Sequence, residues 1–123
     1  MTSAFRFIFW AQDYDETVHF YQEKMEFPVV SQWDRSPTQR GTMVKVGTGE
    51  LEILTISPGK EVIDPKGFEI SIQADGDVDT YYEFVKGKGI PIHGEIADKP
   101  WGQRTFSVKD PNGIKLIFFS DLS

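Results

Sequence analysis

KPWGQRTFSVKDPNGIKLIFF, residues 99–119, reads as two strands joined by a tight turn. Phe106 and Val108 alternate with Thr105 and Ser107, the period-2 pattern of a half-buried strand. Asp110-Pro111-Asn112-Gly113 supplies the turn chemistry. The Asp110 carboxylate can accept from backbone amides ahead of it, Pro111 presets φ, and Gly113 tolerates a left-handed backbone. A β-branched and aromatic run, Ile114 to Phe119, then resumes as a strand.

Upstream, the chain builds toward this hairpin twice. Residues 5–10, FRFIFW, read as a first strand, with Phe5, Phe7 and Phe9 on one face and Arg6, Ile8 and Trp10 on the other. Asp13 offers an N-cap oxygen with Glu16 three positions on, and Tyr14, Val18, Tyr21 and Met25 follow as a helical stripe. The predicted helix is 13–25. Strands are expected at 26–33, 42–46 and 51–56, with a polar loop at 36–39 and a Gly47-Thr48-Gly49 turn. Residues 58–66, rich in Pro, Gly and charge, read as a linker between module one (about 3–57) and module two (about 67–121).

The second module is a repeat of the first. A shift of 63 puts Phe5 on Phe68, Ala11 on Ala74, Thr17 on Thr80 and Pro28 on Pro91, and carries Leu51–Ile56 onto Ile114–Phe119 without a gap. Asp77 caps the second helix, whose stripe is Val78, Tyr81, Tyr82 and Val85 and which Gly87 and Gly89 end. Tandem βαβββ units are the strongest architectural signal in the chain.

The run Pro100-Trp101-Gly102-Gln103-Arg104 ahead of Asp110-Pro111-Asn112-Gly113, together with this repeat, resembles the vicinal oxygen chelate superfamily of glyoxalases, bleomycin-resistance proteins and extradiol dioxygenases. The bleomycin-resistance branch is the nearest in wording. The resemblance implies one α+β domain over residues 1–123: eight mixed strands curled into half-barrels, with two helices outside and a cavity within. It also implies a homodimer with cavities at its interface, module one of one protomer facing module two of the other. On the alternation of the strands, Phe5, Phe7, Phe9, Phe68, Ile70 and Ile72 are expected to pack on the helices. Arg6, Ile8, Trp10, Glu69, Ser71 and Gln73 are expected to face the cavity.

Metal-dependent members of that superfamily take one ligand from the first and one from the fourth strand of each module. Motif by motif, the resemblance carries those positions to Arg6, Leu54, Glu69 and Ile117. Arginine stays protonated, and leucine and isoleucine have no lone pair to give. One carboxylate, Glu69, does not make a site, and Glu52 joins it only after a change of register. No cofactor is therefore expected, the alternative being a divalent metal on Glu52 and Glu69. Arg6 and Glu69, at equivalent repeat positions, are candidates for an ion pair where the metal would sit. His19 and His93 lack partners at ligand spacing and read as surface or edge histidines. Trp10, Trp33 and Trp101 suit the wall or mouth of a cavity, because rigid aromatic rings stack on planar or cationic ligands.

Composition narrows the classes. The 123 residues contain no cysteine, which excludes disulfides and thiolate sites and fits a reducing cytoplasm. A net charge of −6 disfavours nucleic acid and is compatible with a cationic ligand. The apolar run at 4–11 is too short for a membrane span and has no signal-peptide pattern, so neither membrane nor export is expected. The resemblance implies a metal-free protein binding a cationic or aromatic, antibiotic-like small molecule on Arg6, Ile8, Trp10, Trp33, Glu69, Ser71, Trp101 and Ile117. Its rival is a divergent metal-dependent lyase, isomerase or dioxygenase recruiting Glu69, Glu52 and His93. A third reading makes Glu69 the general base of a metal-free enzyme.

Overall fold

The computed structural model describes residues 4–56, 59, 61 and 64–122. The chain divides into two compact units, residues 1–64 and 65–123. The division falls inside the expected linker, of which residues 58, 60, 62 and 63 lie outside the described residues.

The first unit runs β1 (Arg6–Ala11), α1 (Tyr14–Val18) continued by a π-helical stretch His19–Lys24, then β2 (Val29–Ser36), β3 (Gln39–Val46) and β4 (Gly49–Thr55). The second runs β5 (Ile70–Gln73), α2 (Val78–Gly87), β6 (Gly94–Lys99), β7 (Gln103–Lys109) and β8 (Lys115–Asp121). Each unit is βαβββ with its own four-stranded mixed sheet, ordered β1-β4-β3-β2 and β5-β8-β7-β6. In both, the first strand pairs parallel with the fourth and the remaining pairs are antiparallel.

Turn chemistry fixes the closing hairpin as the sequence expects. Asp110 Oδ1 accepts from the amides of Asn112 and Ile114, both at 2.8 Å, and Gly113 takes φ 87°. The first helix departs from expectation. Asp13 caps it, accepting from the Glu16 amide at 3.1 Å, but the chain widens to π geometry after Val18. The extra residue per turn rotates the stripe, so Thr17, Phe20, Tyr21 and Met25 are buried while Val18 is only partly so. Thr17 tolerates burial because its hydroxyl donates to the Asp13 carbonyl at 2.7 Å.

Each helix lies on one face of its own sheet. In unit one Phe9 meets Tyr21 edge-on, and Ala11, Leu51, Ile53 and Val44 complete the core. In unit two Tyr81 and Tyr82 pack on Phe106 and Phe118. Two expected helix contacts are absent. Phe5 is 74% exposed and Phe68 41%, because both precede the first paired residue of their strands. Residues 26–28 also lie outside the strand expected at 26–33, and His93 stands just ahead of β6.

Strand register corrects the repeat. Phe7 pairs with Leu51 and Ile70 with Leu116, so β4 maps onto β8 with a shift of 65 rather than 63. The helix caps Asp13 and Asp77 differ by 64. One extra residue enters beside Gly76 (φ 88°), and another in the five-residue Asp110–Ile114 turn, where the first unit has the four residues 46–49 between Lys45 and Glu50. Residue 52, not Leu54, therefore corresponds to Ile117.

Candidate functional site

The face of each sheet turned away from its helix carries the expected site residues, and the two faces differ in chemistry. In unit two, pairing lays Ser71, Ile117, Ser107 and Gly94 in one row across β5, β8, β7 and β6. Thr105 and Phe119 follow in the next row. Ser107 and Thr105 are nearly fully buried, giving the sheet a hydroxyl-bearing floor. A Cβ at Gly94 would stand 2.5 Å from the Ser107 hydroxyl, which would have to rotate away to admit it.

This floor underlies a pocket of about 270 Å³, to which Glu69, Ser71, Trp101, Ser107, Lys115 and Ile117 contribute. Trp101 is 66% exposed, and its indole N–H donates to Gln103 Oε1 at 3.2 Å. Gln103 in turn donates to Asp121 at 3.4 Å, which ties the tryptophan to the edge of β8. Such a tethered, open ring is a preformed stacking surface. The charged lining residues are Glu69, Glu95, Lys99 and Lys115, two of each sign, so the local charge is balanced despite the acidic chain. Glu95 accepts from the Tyr82 hydroxyl at 2.6 Å, and this hydrogen bond, then burial, raises the Tyr82 pKa.

Of the expected residues, Glu69, Ser71, Trp101 and Ile117 are thus brought together in unit two. Arg6, Ile8, Trp10 and Trp33 share the corresponding face of unit one. There pairing sets Trp10, Leu54, Gly41 and Trp33 in one row, with Ile8, Glu52 and Met43 in the next. Trp33 lies directly over Gly41, occupying the volume a Cβ would need. Where unit two presents hydroxyls, unit one presents an apolar floor, with Ile8 47% exposed on it.

Arg6 and Glu69, expected to pair with each other, are each paired inside their own unit. Arg6 reaches Glu50 at 3.2 Å and Glu52 at 3.8 Å, and Glu69 meets Lys115 at 3.1 Å. The donor set consequently fails to fit a divalent metal. With residue 52 in place of Leu54 at the fourth-strand position, Arg6 stays protonated, Ile117 has no donor atom, and the carboxylates of Glu52 and Glu69 each face a cation. Among the described residues no group of three His, Cys, Asp or Glu is gathered as ligands. Glu69 is also half-exposed, not the enclosed carboxylate that a general base with raised proton affinity requires.

A pair of clusters went unpredicted. Arg40 reaches Asp15 at 3.0 Å and Asp34 at 3.4 Å, and Arg104 reaches Asp79 and Asp98, both at 3.0 Å. They are related by a shift of 64 throughout and tie the first helical turn to the neighbouring hairpin. Arg104 grips Asp79 through Nε and Nη2 together. This hydrogen bonding lowers the Asp79 pKa and raises that of Arg104. The signal that would have found them is the same acid–acid–basic spacing in both halves, visible only at the shift of 64.

The glyoxalase/bleomycin resistance protein/dioxygenase superfamily model matches residues 5–118. The chain belongs to this superfamily. Solved structures of the same fold include TnmS3, an antibiotic binding protein from Streptomyces sp. CB03234, at 19% identity, TM-score 0.77, with 98% of this chain and 97% of that one covered. TioX from Micromonospora sp. ML1 gives 21% identity, TM-score 0.75, and coverage of 98% and 100%. A lactoylglutathione lyase from Agrobacterium tumefaciens gives 17% identity, TM-score 0.71, and coverage of 94% and 90%. No curated protein matches by sequence. The superfamily spans binders and enzymes, so function has to be argued from the residues at the site. No helix among the described residues is long and apolar enough to cross a membrane.

Proposed function

We propose that this superfamily member is a metal-free binding protein that sequesters an aromatic, antibiotic-like small molecule in the cytoplasm. The observation that carries the reading is the unit-two pocket, an open tryptophan above a hydroxyl-bearing floor. Stacking on Trp101 provides affinity, and Ser71, Thr105 and Ser107 provide hydrogen bonds that fix orientation. The balanced lining gives the cationic ligand considered from net charge no local support. The likeness in fold to the antibiotic binding protein TnmS3 is in keeping with sequestration.

Glu69 is engaged by Lys115, and Glu95 by the Tyr82 hydroxyl. We further propose a homodimer. The reason is the exposed apolar side chain of Ile8 on the edge strand β1, which a second copy would cover.

Metal content of protein purified without chelator or added metal tests the first proposal. The expected result is sub-stoichiometric metal and no thermal stabilisation by zinc, nickel, manganese or iron, with tryptophan quenching by planar aromatic ligands. Stoichiometric metal with turnover of a glyoxalase or dioxygenase substrate would install the enzyme reading instead. Trp101→Ala should abolish most of the quenching while leaving the melting temperature within a few degrees, because the ring is on the surface.

A further inference from the structure

A wide groove of about 690 Å³ borders the unit-two pocket and shares Glu69 and Lys115 with it. Its other contributors include Phe68, His93 and Lys109. Lys109 and Lys115 stand directly opposite across β7 and β8, an arrangement of like charges that costs stability unless something neutralises it. Glu69 neutralises Lys115 at 3.1 Å. Among the described residues neither Lys109 nor the His93 imidazole has a carboxylate partner.

The repeat supplies an internal comparison. The corresponding row in unit one is Arg6, Glu50 and Lys45, in which a carboxylate sits between two cations. In unit two the row reads Glu69, Lys115 and Lys109, so the carboxylate lies at one end and two cations adjoin at the other. Both rows sum to a single positive charge, but only in unit two do two cations adjoin with no carboxylate between them. The exposed ring of Phe68 walls the same groove.

We infer that the ligand carries a carboxylate or phosphate, held by Lys109, Lys115 and His93 while its aromatic body occupies the groove and the neighbouring Trp101 pocket. The inference rests on the binding reading above and specifies the charge of the ligand. An oxyanion completes the row as Glu50 does in unit one, relieving the lysine repulsion and accepting charge-assisted hydrogen bonds. Phe68 and Trp101 supply apolar contact on either side of it.

The test compares naphthoate, naphthyl phosphate and neutral naphthamide by tryptophan quenching and calorimetry on the full chain. One anion should bind about fivefold or more tighter than the amide, the ratio expected of one charge-assisted contact. Which anion wins identifies the group. Lys109→Gln should bring the ratio close to one while leaving naphthamide affinity unchanged and the melting temperature no lower, and raised salt should compress it. Equal binding of all three probes would overturn the anion inference and leave the binding reading standing. Binding of the anions undiminished in Lys109→Gln and in His93→Gln would overturn the assignment to this groove. If no probe binds while an unrelated aromatic quenches Trp101, the anion inference fails alone; if nothing quenches Trp101, the binding reading fails with it.

Discussion

Gly41 and Trp33 show how a single residue shapes the unit-one face. Cross-strand partners on β2 and β3, they leave the indole lying where a methyl group would be. Gly41→Ala forces the ring off its strand, and overpacking of this kind costs about 1–3 kcal/mol. Chemical denaturation should register that loss together with a red-shifted tryptophan emission; an unshifted spectrum would place the ring elsewhere. Tyr81 makes the corresponding case on the helix side of unit two. Its ring packs 4.8 Å from that of Phe118, and burial pushes its phenol up to about 12 from an ordinary 10. The fold favours the neutral phenol, so this contribution is whole below about pH 10 and is lost as pH rises through about 12. Tyr82 is raised as well, so Tyr81→Phe should remove part of the alkaline loss. Urea midpoints at pH 9 and pH 11 measure it, and a midpoint difference identical to that of the parent would show that Tyr81 titrates normally.

At the scale of elements, the paired arginine clusters explain what holds each helix start to its hairpin. Asp79 has its pKa lowered chiefly by its hydrogen bonds to Arg104. A depressed carboxylate stabilises the fold above its unfolded value, about 3.9, and that contribution disappears as pH falls through the lower folded value. Arg104→Gln should therefore lower stability at neutral pH and make the acid limb below about pH 4 shallower, as urea midpoints across that range would show. Arg40→Gln should also lower stability at neutral pH, by less, because Arg40 holds Asp15 through one nitrogen rather than two. These clusters escape the sequence because a shift of 63 misses them by one residue, and β8 accepts that shift for a physical reason. A strand repeats every two residues, so sliding β8 by two preserves its inward and outward faces. Leu51 matches Ile114 as well as Leu116 by pattern, and only hydrogen-bonded register separates them. Helix existence, caps and the Asp110–Gly113 turn were legible because they depend on neighbours in sequence. The π-helical stretch was not, because Tyr14, Val18 and Tyr21 fit an ordinary helix equally well.

For the whole molecule, the parity of β1 and β5 already separated helix-side residues from those on the opposite face, Ile8, Trp10 and Ser71 among the latter. What parity cannot supply is which charges meet. That depends on strands 4 and 8, whose register supplied Glu50 and Lys115 as the partners of Arg6 and Glu69. The same register leaves Ile8 beside Glu52, an exposed apolar side chain next to an ion-paired one. In the proposed homodimer a second copy covers Ile8. Ile8→Glu adds a negative charge beside Glu52 and Glu50, which desolvation at an interface would penalise heavily, whereas on a free monomer surface it costs little. Sedimentation equilibrium should find the parent at twice the chain mass and Ile8→Glu at once, with a melting temperature that becomes concentration-dependent only for the parent. A parent that sediments as a monomer at all concentrations would rule the dimer out, and the ligand pocket of unit two would then have to function within a single chain.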